Sequence, residues 1–309
     1  MRNSGWARLT LVLLGALTSL GIESAARAGS MAYVSSGTGI YAWDTGSNSV
    51  SFVTSAADGG AIDSLIFDTS GSLIYSIIGT ASIGKYNPST GSNTILANGG
   101  NFTGVADMVL EPGGTTFLLS NVGDGTIDRV NVNTGARTTL YNGGLRPDGL
   151  AYDDVGRLFA VLDLREVAQL DPITGAVIKT ISVSNQPDAL TFDATTGKLY
   201  VSSDGGGFYT VDPDLTSASF TSISEQPVFD GIASSDNLLY FVVRGGNGLR
   251  YDLNTGQITE TSPFIRGADD IAPVAGLGSD PVPEPSTSIV LLGMGLLGLF
   301  RIVRPKSAG

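Results

Sequence analysis

Residues 147–177 contain the stretch that decides the fold, and they read PDGLAYDDVGRLFAVLDLREVAQLDPITGAV. Short runs rich in aromatic and β-branched residues alternate here with segments that contain Asp, Gly and Pro. Runs of this length and composition are typical of β-strands joined by tight turns. The stretch therefore predicts a small antiparallel sheet.

The same unit recurs along the chain with a period of about 40 to 44 residues. One aromatic position marks it, at Tyr33, Tyr75, Phe117, Phe159, Tyr200 and Tyr240. An acidic position precedes an apolar run in each unit, at Asp63, Asp107, Asp148, Asp188, Asp230 and Asp270. Four strands in 40 to 45 residues is the size of one blade of a β-propeller.

The order of the strands predicts how the ring closes. The chain begins with strands two to four of a blade, in residues 31–54, and ends with a first strand, in residues 269–275. Joining the two ends completes a sixth blade and leaves no open row of blades. We therefore predict an all-β, six-bladed β-propeller over residues 29–276, closed by N-terminal strands 2–4 and C-terminal strand 1, and a linker at 277–281.

The sequence of the repeat can also be compared with known kinds of repeat. Pro-Asp-Gly-Leu-Ala at 147–151 and Asp-Pro-Ile-Thr-Gly at 171–175 resemble the YVTN and NHL-like propeller repeats, and this resemblance covers nearly the whole predicted domain. It implies a propeller but no particular activity, because one fold hosts many functions.

Residues 1–28 have the order of a secretory signal peptide. Arg2 and Arg8 precede an apolar run at 9–20, and a small residue, Ala28, ends the segment. This pattern predicts cleavage between Ala28 and Gly29. The alternative, an N-terminal membrane anchor, would require an apolar run of about 20 residues.

Residues 282–309 have the order of a sorting tail. The sequence Pro283-Glu284-Pro285 precedes an apolar run at 289–300 and a basic end. This order predicts a transmembrane helix that stops in the inner membrane with its basic end in the cytoplasm. A permanent C-terminal anchor is the alternative.

The tail resembles the PEP-CTERM sorting signal of Gram-negative bacteria, which carries the same Pro-Glu-Pro sequence before its helix. The resemblance implies an exosortase as processing partner, transient inner-membrane anchorage, and export to the cell envelope, cell surface or extracellular matrix. It also implies a biofilm-forming bacterium that makes exopolysaccharide.

The composition excludes several kinds of chemistry. The chain has no His and no Cys, so it lacks the commonest general base and the thiolate nucleophile. It has 17 Lys and Arg against 29 Asp and Glu, for a net charge of −12. An acidic domain of this kind repels phosphates, so no nucleic-acid partner is expected.

The six repeated aspartates, Asp63, Asp107, Asp148, Asp188, Asp230 and Asp270, are the candidate site. They are expected to ring the mouth of the central channel. There they would bind calcium or sugar hydroxyls, or, as the structural alternative, accept hydrogen bonds from turns and neighbouring blades. Calcium is the one candidate cofactor.

The residue types favour a non-enzymatic binding or structural protein of the envelope or exopolysaccharide matrix. We predict no catalytic residue, and exopolysaccharide or envelope proteins as partners. The alternative is a calcium-dependent enzyme of the lactonase or lyase type, acting at the channel mouth.

Overall fold

The computed structural model describes residues 31–99, 102, 104–223, 229–235, 237–244, 247–261 and 267–273. These residues form 24 β-strands in six four-stranded antiparallel sheets. Within this part of the chain, no helix is long and apolar enough to cross a membrane. The predicted signal peptide, linker and sorting tail lie outside the described residues.

Five sheets, here called blades 1 to 5, are each formed by four consecutive strands. Blade 1 has β4 (Ala61–Phe67), β5 (Leu73–Ile78), β6 (Ser82–Asn87) and β7 (Ser92–Ala97). Blade 2 has β8 (Val105–Leu110), β9 (Thr116–Asn121), β10 (Thr126–Asn131) and β11 (Arg137–Tyr141). Blade 3 has β12 (Pro147–Tyr152), β13 (Leu158–Leu162), β14 (Glu166–Leu170) and β15 (Val177–Ser182). Blade 4 has β16 (Pro187–Asp193), β17 (Lys198–Ser203), β18 (Gly207–Val211) and β19 (Ala218–Ser222). Blade 5 has β20 (Phe229–Ser235), β21 (Leu238–Val243), β22 (Asn247–Asp252) and β23 (Ile258–Thr261).

Blade 6 combines the two ends of the described chain. Its strands are β24 (Ala268–Pro273), β1 (Met31–Ser36), β2 (Gly39–Asp44) and β3 (Ser49–Ser55), in that order from the axis outward. The first strand of each blade contacts the first strand of the next blade, and β24 contacts β4 to close the ring. The six-bladed propeller and its mode of closure are therefore confirmed.

The hydrophobic core is divided among the junctions between blades. Six clusters of buried apolar side chains occur, one at each junction. Phe159 of blade 3, for example, packs in one cluster with Leu190 and Val201 of blade 4. Such a core exists only when neighbouring blades are present, so each blade depends on the two beside it.

Turns of one kind join the third and fourth strands of most blades. The carboxylate of Asp171 accepts hydrogen bonds from the backbone N–H groups of Ile173 and Thr174, and Gly175 follows with φ of 73°. Asn and Asp favour such turns because their side chains satisfy backbone donors, and Gly takes the left-handed conformation without strain. The turn sequence seen in the repeat is therefore a strand connection.

The two faces of the propeller differ in which chain segments meet there. We call the face where the innermost strands begin the cavity face, and the face where they end the exit face. The innermost strand β24 begins at the cavity face and ends with Pro273 at the exit face.

Closure of the ring is reinforced by one buried carboxylate. Oδ2 of Asp270, in β24, accepts hydrogen bonds from the Ser64 hydroxyl (3.0 Å) and the Leu65 N–H (2.9 Å) of blade 1. The Asp270 N–H in turn donates to the Ser35 hydroxyl of β1 at 2.8 Å. One residue therefore joins three strands across the point of closure.

Replacing Asp270 should weaken the closure measurably. In Asp270→Ala the N–H of Leu65 loses its acceptor in a buried place, which costs about 1–3 kcal/mol. For a domain of this size we expect a fall in Tm of about 2–4 °C per kcal/mol in thermal unfolding followed by circular dichroism. Asp154→Ala, at an exposed turn residue, is the control and should leave Tm nearly unchanged. Equal Tm values for the two variants would contradict this role.

Candidate functional site: an acidic cavity on the propeller axis

A cavity of about 230 Å³ lies where the innermost strands begin. All six aspartates predicted from the repeat line it, together with Asp269. Its volume is below the 300–1,000 Å³ typical of pockets for drug-sized ligands. The cavity therefore suits an ion, an amine or the edge of a sugar.

A β-bulge in each innermost strand places these aspartates. The pairing register shifts at the cavity end of every first strand, for example between Pro187 and Leu190 in blade 4. A bulge turns side chains out of the regular alternation and leaves backbone groups without ladder partners. Repeating the bulge in each blade turns equivalent residues toward the axis.

Serine hydroxyls on the second strands compensate for the bulges. Ser76, Ser120, Ser202 and Ser35 each accept a hydrogen bond from a bulge N–H of their own blade. Two of them also donate to the next blade. Ser35 donates to the Asp63 carbonyl at 2.9 Å, and Ser202 donates to the Asp230 carbonyl at 3.1 Å.

Blades 3 and 5 have Gly149 and Gly231 at the bulge, where a side chain would not fit. A Cβ on Gly149 would lie 2.5 Å from the carbonyl oxygen of Asp188, and one on Gly231 would lie 2.8 Å from Cα of Asp270. The glycines therefore allow close approach of the next blade, which explains why Gly follows the repeated Asp in these two blades.

The pairing register divides the six aspartates between two positions. In blade 1, Leu65 pairs with the second strand and Asp63 lies two residues before it. In blade 2 the corresponding residue is Met108, so Asp107 lies only one residue before it. Asp270 is displaced in the same way, and Asp269 takes the position that Asp63 has in blade 1.

The displaced pair has a structural role. Asp107 accepts a 2.6 Å hydrogen bond from the Leu150 N–H of blade 3, just as Asp270 accepts one from Leu65. Burial raises the pKa of the Asp270 carboxyl to about 7, although its hydrogen bonds with Leu65 and Ile271 lower it. Burial likewise raises the pKa of Asp107 well above its ordinary value.

Carboxyl groups in the cavity also pair with one another. Burial and the nearby Asp269 raise the pKa of Asp63 to about 9. Burial and the charge of Asp148 raise the pKa of Asp188 to about 9. Like charges this close do not all ionise together, so neighbouring carboxyls share protons.

Two arginines at the rim offset part of this charge. Arg146 lies 3.1 Å from Asp148, and Arg244 lies 2.8 Å from Asp230. Burial raises the pKa of each of these aspartates to about 6, and the arginine opposes that rise. Both arginine side chains remain largely exposed, at 44% and 62%.

One group of three carboxylates has the geometry to bind a cation. Asp188, Asp204 and Asp230 each offer an oxygen, and these oxygens lie within 4.8 Å of one another. Calcium takes six to eight oxygen ligands, so sugar hydroxyls or water would have to complete its shell. Arg244 competes for Asp230 at the same place.

Asp204, Asp269 and the serine position are not among the six aspartates predicted from the repeat. Asp204 lies in the turn between β17 and β18, away from the repeated Asp, and Asp269 is hidden beside Asp270. A signal for the serines was present, because Tyr-Val-Ser-Ser occurs both at 33–36 and at 200–203.

The C-terminal sequence agrees with a known signal. Residues 281–304 match the family description "PEP-CTERM protein-sorting motif". The chain carries a PEP-CTERM sorting motif. This motif implies processing by an exosortase and export to the envelope or surface, as predicted. The comparison with curated proteins found no match.

Solved structures resemble the propeller in fold. A chain of a nidogen/laminin complex has a TM-score of 0.68 at 17% identity, over 80% of this PEP-CTERM-bearing chain and 98% of that chain. A Bacteroides caccae protein of unknown function has a TM-score of 0.64 at 14% identity, over 80% and 99%. Virginiamycin B lyase from Staphylococcus aureus has a TM-score of 0.57 at 13% identity, over 72% and 77%. At these identities the likeness shows the fold alone.

The paired carboxyls predict an unusual dependence of stability on pH. Folded Asp63 keeps its proton up to about pH 9, whereas an unfolded Asp loses it near pH 4. Between these values the folded state binds more protons, so the free energy of unfolding falls as pH rises.

We therefore expect Asp63→Asn to be more stable than the wild type at pH 8.5, with a smaller difference at pH 5. Each kcal/mol gained corresponds to about 2–4 °C in Tm. Thermal unfolding of both proteins at the two pH values measures this. An Asp63→Asn variant that is less stable than the wild type at pH 8.5 would refute the protonated pair.

Proposed function

We propose that this protein is an exported, non-enzymatic binding protein of the cell envelope or exopolysaccharide matrix, which an exosortase processes and whose ligand site is the acidic cavity. The observation that carries the proposal is the convergence of carboxylates on one small cavity, in a chain that also carries a PEP-CTERM motif. The ligand class is an acidic or hydroxyl-rich polysaccharide, bridged by calcium.

The site chemistry supports binding rather than catalysis. A calcium ion at Asp188, Asp204 and Asp230 would supply positive charge and free coordination positions, which sugar hydroxyls or carboxylates can fill. Arg146 and Arg244, at the rim, would contact anionic groups of the same chain of sugars. The chain has no histidine to act as a general base beside this site.

Processing is tested by changing the sorting motif. In the triple variant Pro283→Ala, Glu284→Ala, Pro285→Ala, we expect the uncleaved protein to accumulate in the membrane fraction of the producing bacterium. Fractionation and mass spectrometry of the C-terminal peptide measure this. Ser286→Ala is the neighbouring control. Release of the triple variant at the wild-type rate would contradict exosortase processing through this motif.

Binding is tested with the mature protein and the exopolysaccharide of the producing bacterium, by co-sedimentation with calcium and again with chelator. We expect the double variant Asp188→Asn, Asp230→Asn to bind at least about tenfold more weakly. Tenfold corresponds to a loss of about 1.4 kcal/mol of binding free energy. Asp163→Asn removes one exposed charge from the same face and should keep binding within about twofold of wild type.

The two conditions separate the roles of metal and polysaccharide. Loss of wild-type binding in chelator would assign the aspartates to a metal. Binding that survives chelator would assign them to direct contacts with sugar hydroxyls. Absence of binding in both conditions would overturn the polysaccharide ligand.

A further inference from the structure

The position of the last strand fixes the face from which the sorting tail departs. Because β24 is the innermost strand of blade 6, the chain leaves Pro273 near the propeller axis and at the exit face. The cavity lies at the other end of the same strand, close to Asp270. A strand of six residues is about 20 Å long.

The length of the following chain lets either face approach a membrane, but the exit face needs less of that length. Fifteen residues separate Pro273 from Ile289, where the apolar run begins, and they reach at most about 50 Å when fully extended. To put the cavity face on the membrane, this segment would have to pass around the blade. Four strands span three spacings of about 4.8 Å, and together with the strand length this path requires about 35 Å. The exit face can approach the membrane without that extension.

The exit face also carries the most exposed apolar side chains of the described residues. Val155 is 72% exposed and Ile173 is 82% exposed, and both lie in exit-face turns of blade 3. Val177 and Ile178, at the exit-face end of β15, are 46% and 57% exposed. All four of these aliphatic residues lie at the same end of one blade, which makes the exit face of blade 3 the candidate contact surface.

The balance between acidic and basic side chains differs between the exit face and the acidic cavity face. Among the described residues, four ion pairs at the exit face neutralise acidic side chains. They join Lys85 to Asp68, Arg129 to Glu111, Arg157 to Asp153 and Lys198 to Asp212. The cavity itself has several aspartates and only Arg146 and Arg244 beside them. An anionic membrane surface therefore repels the cavity face more strongly.

We propose that, while the sorting tail is in the membrane, the propeller rests on the lipid surface by its exit face, with Val155 and Ile173 in contact with the headgroup region. The acidic cavity then points away from the membrane and is open to ligand before the tail is removed. This inference rests on the membrane step of the proposed function, but not on the identity of the cavity ligand.

The absence of cysteine makes single-site labelling direct. Asn133→Cys places a fluorophore on an exposed exit-face turn, and Asn142→Cys places one on an exposed cavity-face loop of the same blade. The full chain without its signal peptide is inserted in phosphatidylglycerol-containing vesicles that carry nitroxide on the lipid headgroup. We expect quenching about twofold or more stronger at position 133, because the strand length separates the sites by about 20 Å.

A second pair of variants tests the apolar contact. The first is a double variant, Val155→Asp and Ile173→Asp, made in the Asn133→Cys chain. It should reduce quenching at position 133 toward the value at position 142. Ile78→Asp changes an exposed aliphatic residue at the cavity face, and it should leave quenching unchanged. These residues are exposed, so the substitutions do not disturb the core.

The remaining outcomes overturn the orientation. Equal quenching at the two positions, or stronger quenching at position 142, overturns it while leaving the proposed ligand binding intact. An unchanged signal in the double variant overturns the contact by Val155 and Ile173. A chain that does not float with the vesicles overturns both this inference and the membrane step of the proposed function.

Discussion

The pairing of β24 with β1 is the interaction on which the rest of the structure depends. Blades share their core with their neighbours, so an incomplete blade 6 would expose two junctions at once. The closing strand ends at Pro273, and the sorting motif begins eight residues later, at 281. The propeller is therefore complete only when synthesis has nearly reached the tail that directs its sorting.

The repeated aspartates divide into two groups with different surroundings. Asp107 and Asp270 accept backbone hydrogen bonds from the next blade, as the structural alternative predicted. Asp188 and Asp230 instead combine with Asp204 beside the cavity. Burial and nearby carboxylates raise the pKa of Asp188 and Asp230, which costs folding free energy at neutral pH. That cost is the physical reason to look for a ligand here.

The repeat period and strand order were enough to predict six blades and their closure, because strand and turn signals are local in sequence. The exact pairing register of the first and second strands was not predictable. A β-bulge adds a residue to one strand without changing the kinds of residue that the strand contains. That is why Asp269 was overlooked in favour of Asp270. Asp204 lies outside the repeated position, in the turn after β17, and the folding of blade 4 against blade 5 brings it beside Asp188 and Asp230.

The two ends of the innermost strands carry different kinds of side chains. One end gathers acidic side chains around the axis, whereas the other ends in turns with paired charges and exposed aliphatic residues. The strand that closes the ring stops before the sorting motif begins, so removal of that motif leaves every strand of the six blades in place. In the proposed function, ligand binding at the cavity face would therefore not depend on whether the sorting tail has been removed.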